Sequence, residues 1–213
     1  MAIVIDTGDS VTQTYTALVA QIALWMNRND LGAVIPTFVT LAESRIARDL
    51  RIRKQITSTG LIASTTTRSV ALPSDWLELV DLSITGVVAP SLQYMTLDQL
   101  EARFPEGGCA GQPYFYTING DNIFLGPEPD SAYPIEVIYY ARFPTLSVAE
   151  SNWLYTNHPS IYLYAALREG CLFVKDTKSA AEWDALFKSE VKSLQDDDDE
   201  ATHSGSVLVV KTL

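Results

Sequence analysis

Residues 152–176 read NWLYTNHPSIYLYAALREGCLFVKD, and this stretch decides the fold. Pro159 suits the first turn of a helix, where its missing N–H would have had no partner anyway. Beyond it, Ile161, Leu163, Tyr164, Leu167, Cys171, Leu172, Phe173 and Val174 leave nearly every helical face apolar. A helix of that kind must be covered all round, by its own domain or by neighbouring subunits. It is too short for a membrane span and is interrupted by Arg168, Glu169 and Gly170. It reads as the central helix of a bundle. Tyr162, Tyr164, Leu167 and Phe173 are its candidate subunit contacts.

Working outward, three further helical patterns surround it. Ser10 and Gln13 have capping-box spacing, and Val11, Tyr15, Leu18, Ile22 and Trp25 then recur at helical intervals. Pro36 opens a second helix with Val39, Ile46 and Leu50 on one face. Its end is basic, with Arg45, Arg48, Arg51, Arg53 and Lys54, which complements the helix dipole. Downstream of the central helix, Ser179 and Glu182 form another capping box, and Trp183, Phe187, Val191 and Leu194 make an apolar stripe. The run Asp196–Glu200 opposes the dipole, so this helix is expected to fray there.

Between the two helical halves the period changes to that of strands. Ile56–Ala63, Arg68–Leu72, Trp76–Ile84 and Ile135–Arg142 are strand candidates, and Leu97–Phe104 reads as a short helix. Tyr114–Ile118 and Asn122–Leu125 flank Asn119-Gly120-Asp121, the strongest hairpin signal in the chain. The fold class is therefore α+β: a helical bundle of two N-terminal and two C-terminal helices, an inserted β-rich domain and an extended C-terminal β arm. The expected boundaries are 9–55 and 151–200 for the bundle, 56–150 for the insert and 201–213 for the arm.

The arm is Ser206, Val207, Leu208, Val209, Val210, Lys211, Thr212 and Leu213, following a flexible Ser-Gly joint. Its β-prone, apolar composition calls for a partner strand. That strand belongs either to another chain or to the edge of the protein's own sheet.

Composition narrows the function classes. The 213 residues are 47% hydrophobic and carry a formal charge of −11. Such a surface argues against tight sequence-specific binding to nucleic acid, which needs Lys and Arg on the phosphates, and is compatible with a wall that DNA slides past. Cys109 and Cys171 make no disulfide framework, so a reducing compartment fits. The N-terminal stretch has no basic residue and too short an apolar run for a signal peptide, and no membrane span is visible, so synthesis in a cytoplasm is expected.

Chemistry-bearing motifs are sparse. His158 and His203 lack partners at metal-ligand spacing, and neither a phosphate-binding loop nor a nucleophile elbow is present. Gly107–Gly111 is not followed by a helix, and Cys109 has no base beside it in sequence. Asp75, Asp121 and Glu128 lie in turns, where carboxylates serve the local backbone. Tyr114, Phe115, Tyr116, Tyr139 and Tyr140 lack the basic residues of a base-stacking platform, and packing explains them better. No cofactor, no metal and no catalysis are expected. An enzyme or ligand-binding reading would centre on Gly107–Gly111 and Cys109.

Several segments nevertheless form a familiar series. They are LVAQIALWMNRNDLGAVIPTFVTLAESRIARDLRIRK, LPSDWLELVDLSI, YTINGDNIFLGPEPD, IEVIYYARFPTLS and the central helix with its lead-in. Together they resemble the head-to-tail adaptor (connector) proteins of tailed bacteriophages over nearly the whole chain. The resemblance implies a homo-oligomeric ring, typically dodecameric, beneath the portal of the filled capsid. It implies portal and tail or nozzle proteins as partners, and genomic double-stranded DNA passing through the ring without sequence-specific binding. A place in the virion neck follows, after assembly in the host cytoplasm and away from any membrane. Extended termini commonly reach the portal, which would make Ser206–Leu213 a portal- or subunit-binding arm. A tail-terminator or nozzle component is the nearest alternative within the class.

Overall fold

The computed structural model describes residues 13–28, 30–65, 67–86, 91–105 and 108–203. The chain divides into two compact units, one formed by the residues up to Ile52 with those from Phe143 onward, the other by Arg53–Arg142.

The first unit is helical: α1 Tyr15–Trp25, α2 Ile35–Asp49, the short α4 Leu146–Ala149 and α5 Trp153–Asn157, then α6 Pro159–Phe173 and α7 Thr177–His203. (α3, Leu97–Arg103, belongs to the other unit.) Local chemistry sets most of the starts. Thr14, in extended conformation, accepts from the Ala17 N–H at 3.3 Å, so α1 begins at Tyr15. Ser10, expected to open this helix, lies outside the described residues. Pro36 sits in the first turn of α2, and Pro159 in that of α6. Asn152 caps α5 by accepting from the Tyr155 N–H at 2.9 Å. Its amide donates to the Pro144 carbonyl and to the Tyr162 hydroxyl, tying the lead-in to α6. At the other end of α6 the chain reverses through Lys175, a non-glycine residue at φ +65°. Asp176, not Ser179, then caps α7, accepting from the Ser179 N–H at 3.1 Å.

The expectation for the end of α7 does not hold. The helix runs through Asp196–Glu200 to His203. It is long, and Phe187, Val191 and Leu194 anchor it in the helical core, so packing outweighs the dipole penalty of a few tenths to 1 kcal/mol per charge. That core also takes in Leu18 and Ile22 of α1, Ile35, Phe38, Val39 and Ile46 of α2, and Ile161, Tyr162, Ala166 and Leu167 of α6. Residues 143–150, assigned to the insert by sequence, also pack here: Leu146 is fully buried among these helices, and Phe143 stacks on Trp153 at 6.2 Å.

The second unit opens with a 3-10 turn, Arg53–Gln55, followed by two sheets. In the first, β1 (Ile56–Ala63) and β3 (Trp76–Ile84) flank β7 (Tyr133–Ala141), all antiparallel. The register of β1 runs without a break from Ile56 opposite Tyr140 to Ala63 opposite Tyr133. That of β3 is interrupted between Trp76 and Glu78 and between Leu79 and Asp81. Along β7, Ile135, Val137 and Tyr139 alternate into the core of this unit.

The second sheet has the order β2 (Ser69–Ala71), β6 (Asn122–Gly126), β5 (Phe115–Asn119), β4 (Gln93–Tyr94). Its β5–β6 hairpin turns at the expected place, with Gly120 at φ +59° as the first of two turn residues. Thr96 and Gln99 form a capping box at the start of α3 (Leu97–Arg103). Leu100 of that helix closes on β6 at Gly126, where a Cβ would come within 2.6 Å of Leu100 Cδ1. Any side chain at this position would have to displace the Leu100 and Phe104 side chains that pack on it.

Candidate interaction surfaces

The central helix does not offer the face expected of it. Tyr162 and Leu167 are 2% and 1% exposed, covered by their own unit. Burial pushes the Tyr162 hydroxyl well above its ordinary pKa, against the opposing pull of the Asn152 hydrogen bond. Tyr164 is half-buried and stacks on Trp183 of α7 at 5.6 Å. Of the four candidate contacts, Phe173 alone is open, at 53% exposure.

Phe173 belongs to a larger apolar end of the helical unit. Leu172 and Val174 beside it are exposed, as are Leu24 at 75% and Trp25 at 52%. The ends of α1 and α6 meet where Met26 lies over Gly170: a Cβ on Gly170 would come within 2.5 Å of Met26 Sδ. Phe173 contacts Phe38 with ring centres 5.5 Å apart, and Trp25 contacts Trp183 at 5.7 Å. A cluster of large exposed apolar side chains is unusual on a chain that stays single, and typically marks a contact surface. Helical spacing puts Trp25 on the same apolar face as Leu18 and Ile22, yet it is 52% exposed. The neighbouring Leu24, off the buried stripe of Leu18 and Ile22, was the available signal that this end of α1 faces outward.

Beside this end, charges brace the helices. Asp184 of α7 accepts from Arg45 of α2, from Arg168 Nε of α6 at 3.1 Å and from Lys188 Nζ at 2.9 Å. Arg168 also pairs with Glu169, and Arg45 lies over the Phe187 ring at 4.7 Å and reaches Asp49. Arg45, read from sequence as part of a basic helix end, is thus a buried brace between α2 and α7.

The arm Ser206–Leu213 lies outside the described residues. An edge that could receive a strand does lie within them. β1 pairs with β7 on one side, and no described strand pairs on the other. Its eight residues, ITSTGLIA, carry no charge, and Ile62 is 71% exposed. The sequence signal for this edge was the absence of charge along a complete strand.

The residues that an enzyme would need are scattered. Cys109 is exposed, and the loop after it is tied to the backbone of Glu128 by the Gly111 N–H at 2.8 Å and by a bridge from Ala110. Cys171 is partly buried, and burial together with nearby Asp176 raises its pKa. Asp75 accepts from the Tyr139 hydroxyl at 3.0 Å, a packing role. A cleft of 590 Å³ in the second unit is lined by Thr67, Arg68, Glu101, Phe124 and Glu128, among others. Arg68 spends its guanidinium on the carbonyls of Leu125 and Leu100, at 2.8 and 3.4 Å. Among the described residues no group of three or more His, Cys, Asp or Glu could hold a metal ion, and no helix is long and apolar enough to cross a membrane.

No curated protein matches the sequence. One protein family, described as SU10 adaptor protein, matches residues 13–209. The match takes in every helix and strand from α1 to α7, so the resemblance seen in the packing and turn segments extends across both units. This chain belongs to the SU10 adaptor protein family and is a bacteriophage adaptor.

Proposed function

We propose that the chain is a structural head-to-tail adaptor. Copies assemble into a ring, dodecameric as the resemblance implies, that docks on the portal, extends the DNA channel and presents an attachment platform to tail or nozzle proteins. The observation that carries this reading is the extent of the family match, residues 13–209. The apolar end formed by Leu24, Trp25, Leu172, Phe173 and Val174 supports a contact between copies, with Phe173 as the one candidate from the central helix that remains open. The net charge of −11 supports a channel wall that repels DNA enough to let it slide, without base recognition. No turnover of a substrate belongs to this function.

The direct test is electron microscopy of the purified chain mixed with its portal ring. An added ring at the narrow end of the portal is the expected result. A protein that ignores the portal and assembles on distal tail components would overturn this reading in favour of a terminator or nozzle.

A further inference from the structure

We infer that the free edge of β1 is the acceptor for Ser206–Leu213 of a second copy, which joins the β1–β7–β3 sheet as a fourth strand. The inference rests on the ring reading above and names a second contact between neighbours, beside the apolar end.

The four sheet edges of the second unit differ in how they are protected. β2 has three residues and β4 two, too short to template a partner. β3 is long, but its register shifts twice, it carries Glu78 and Asp81, and its Leu82 carbonyl already accepts from the Leu92 N–H at 2.7 Å. Bulges, charges and prior occupation are the usual means by which an edge is closed. β1 has none of them. It is eight residues long, its pairing with β7 is unbroken, and it holds no charged side chain. Alternate backbone groups along it point away from β7, and no backbone hydrogen bond from another described segment reaches Ile56–Ala63.

The proposed occupant matches the edge in chemistry. Leu61 and Ala63 belong to the core face of β1, while Ile62 stands exposed on the other. A strand laid beside them needs apolar side chains on both faces. As a strand, SVLVVKTL would put Val207, Val209 and Leu213 on one face with Lys211 among them, and Leu208 and Val210 on the other between Ser206 and Thr212. Backbone hydrogen bonds would supply affinity, and these side chains the fit.

A second copy is favoured over the same copy by symmetry. A chain that carries both a donor strand and an acceptor edge makes a heterologous contact, and such contacts close into rings when the rotation allows. Passing the strand to a neighbour around a closed ring covers the β1 edge of each copy with the arm of the next.

The test uses hydrogen exchange on full-length chains. An isotopically heavy chain with Val207→Asp and Val209→Asp, which keeps its own β1 but cannot donate, is mixed with the light wild type. Exchange of the heavy 56–63 peptide is expected to slow by about tenfold or more on mixing, as for newly paired amides. Slow exchange in the light chain only would place the strand on its own copy and overturn the inference. Fast exchange in both chains, while microscopy shows a ring, would overturn it and leave the ring reading standing. Slowing of the heavy peptide without any ring would support the strand exchange and sink the ring reading. Protection of the heavy chain before mixing would also overturn the inference.

Discussion

Glu43 is half-buried on α2 and accepts the Leu146 N–H at 2.7 Å, joining two segments far apart in sequence. Burial raises its pKa, and the Leu146 hydrogen bond only partly offsets this. A carboxylic acid with a raised folded pKa contributes stability that is full below its unfolded value near 4.5 and is lost as pH rises through the folded one. Glu43→Gln keeps an acceptor without the charge, so its urea midpoint at pH 7 is expected to equal or exceed wild type, with the gain gone below pH 4.5. Glu43→Ala leaves the Leu146 amide unpaired and is expected to lose about 1–3 kcal/mol.

Asp184 has the opposite sign. Burial pushes its carboxyl up, but the hydrogen bonds from Lys188 and Arg45 and their charges together hold it below the usual range. Its contribution is present above 3.8 and is lost as pH falls through the lower folded value. Asp184→Asn is expected to cost roughly 1.5–3 kcal/mol at neutral pH, where it strips a charged partner from Arg45 and Arg168. The gap to wild type should shrink on acidification below 3.8, as chemical denaturation at each pH would show.

At the scale of elements, α7 carries its acidic run within the last two turns and persists to His203. Asp199→Lys replaces a charge that opposes the dipole by one that favours it, and should raise helix stability by about 0.3–1 kcal/mol at low salt. A circular-dichroism melt that is unchanged or lower would contradict this. The same helix shows where the sequence was readable and where it was not. Strand bounds at Ile56–Ala63 and Trp76–Ile84 agree with the expectation because alternation and turn residues are local signals. The fate of Asp196–Glu200 was decided by tertiary burial of Phe187, Val191 and Leu194, which dipole reasoning does not contain. Likewise, an apolar run says that Tyr162 must be covered, but not whether its own unit, where it meets Tyr155 and Asn152, or another chain does the covering. Trp25 continues the stripe of Leu18 and Ile22 in number, yet it stands half open, because the helix outruns the core that covers it.

At the scale of the whole molecule, buried and exposed apolar residues of the helical unit should respond differently. Tyr162→Ala opens a void in a filled core and should destabilise the monomer by about 3–5 kcal/mol. Leu24→Asp or Phe173→Asp should leave far-ultraviolet circular dichroism almost unchanged while abolishing ring formation in sedimentation. If these charged variants still assemble, the apolar end is not the subunit contact. The division of the chain carries a further consequence, for the order of events during synthesis. Residues 53–142 are contiguous, so their sheets can close as soon as that stretch has left the ribosome. The helical unit is split around them, and α1 and α2 lack α6 and α7 until more than a hundred further residues have been made. Ile35, Phe38, Val39 and Ile46 are fully or nearly fully buried only in the finished protein. The nascent chain therefore carries a naked apolar face through most of translation, and that interval is when a chaperone would bind it.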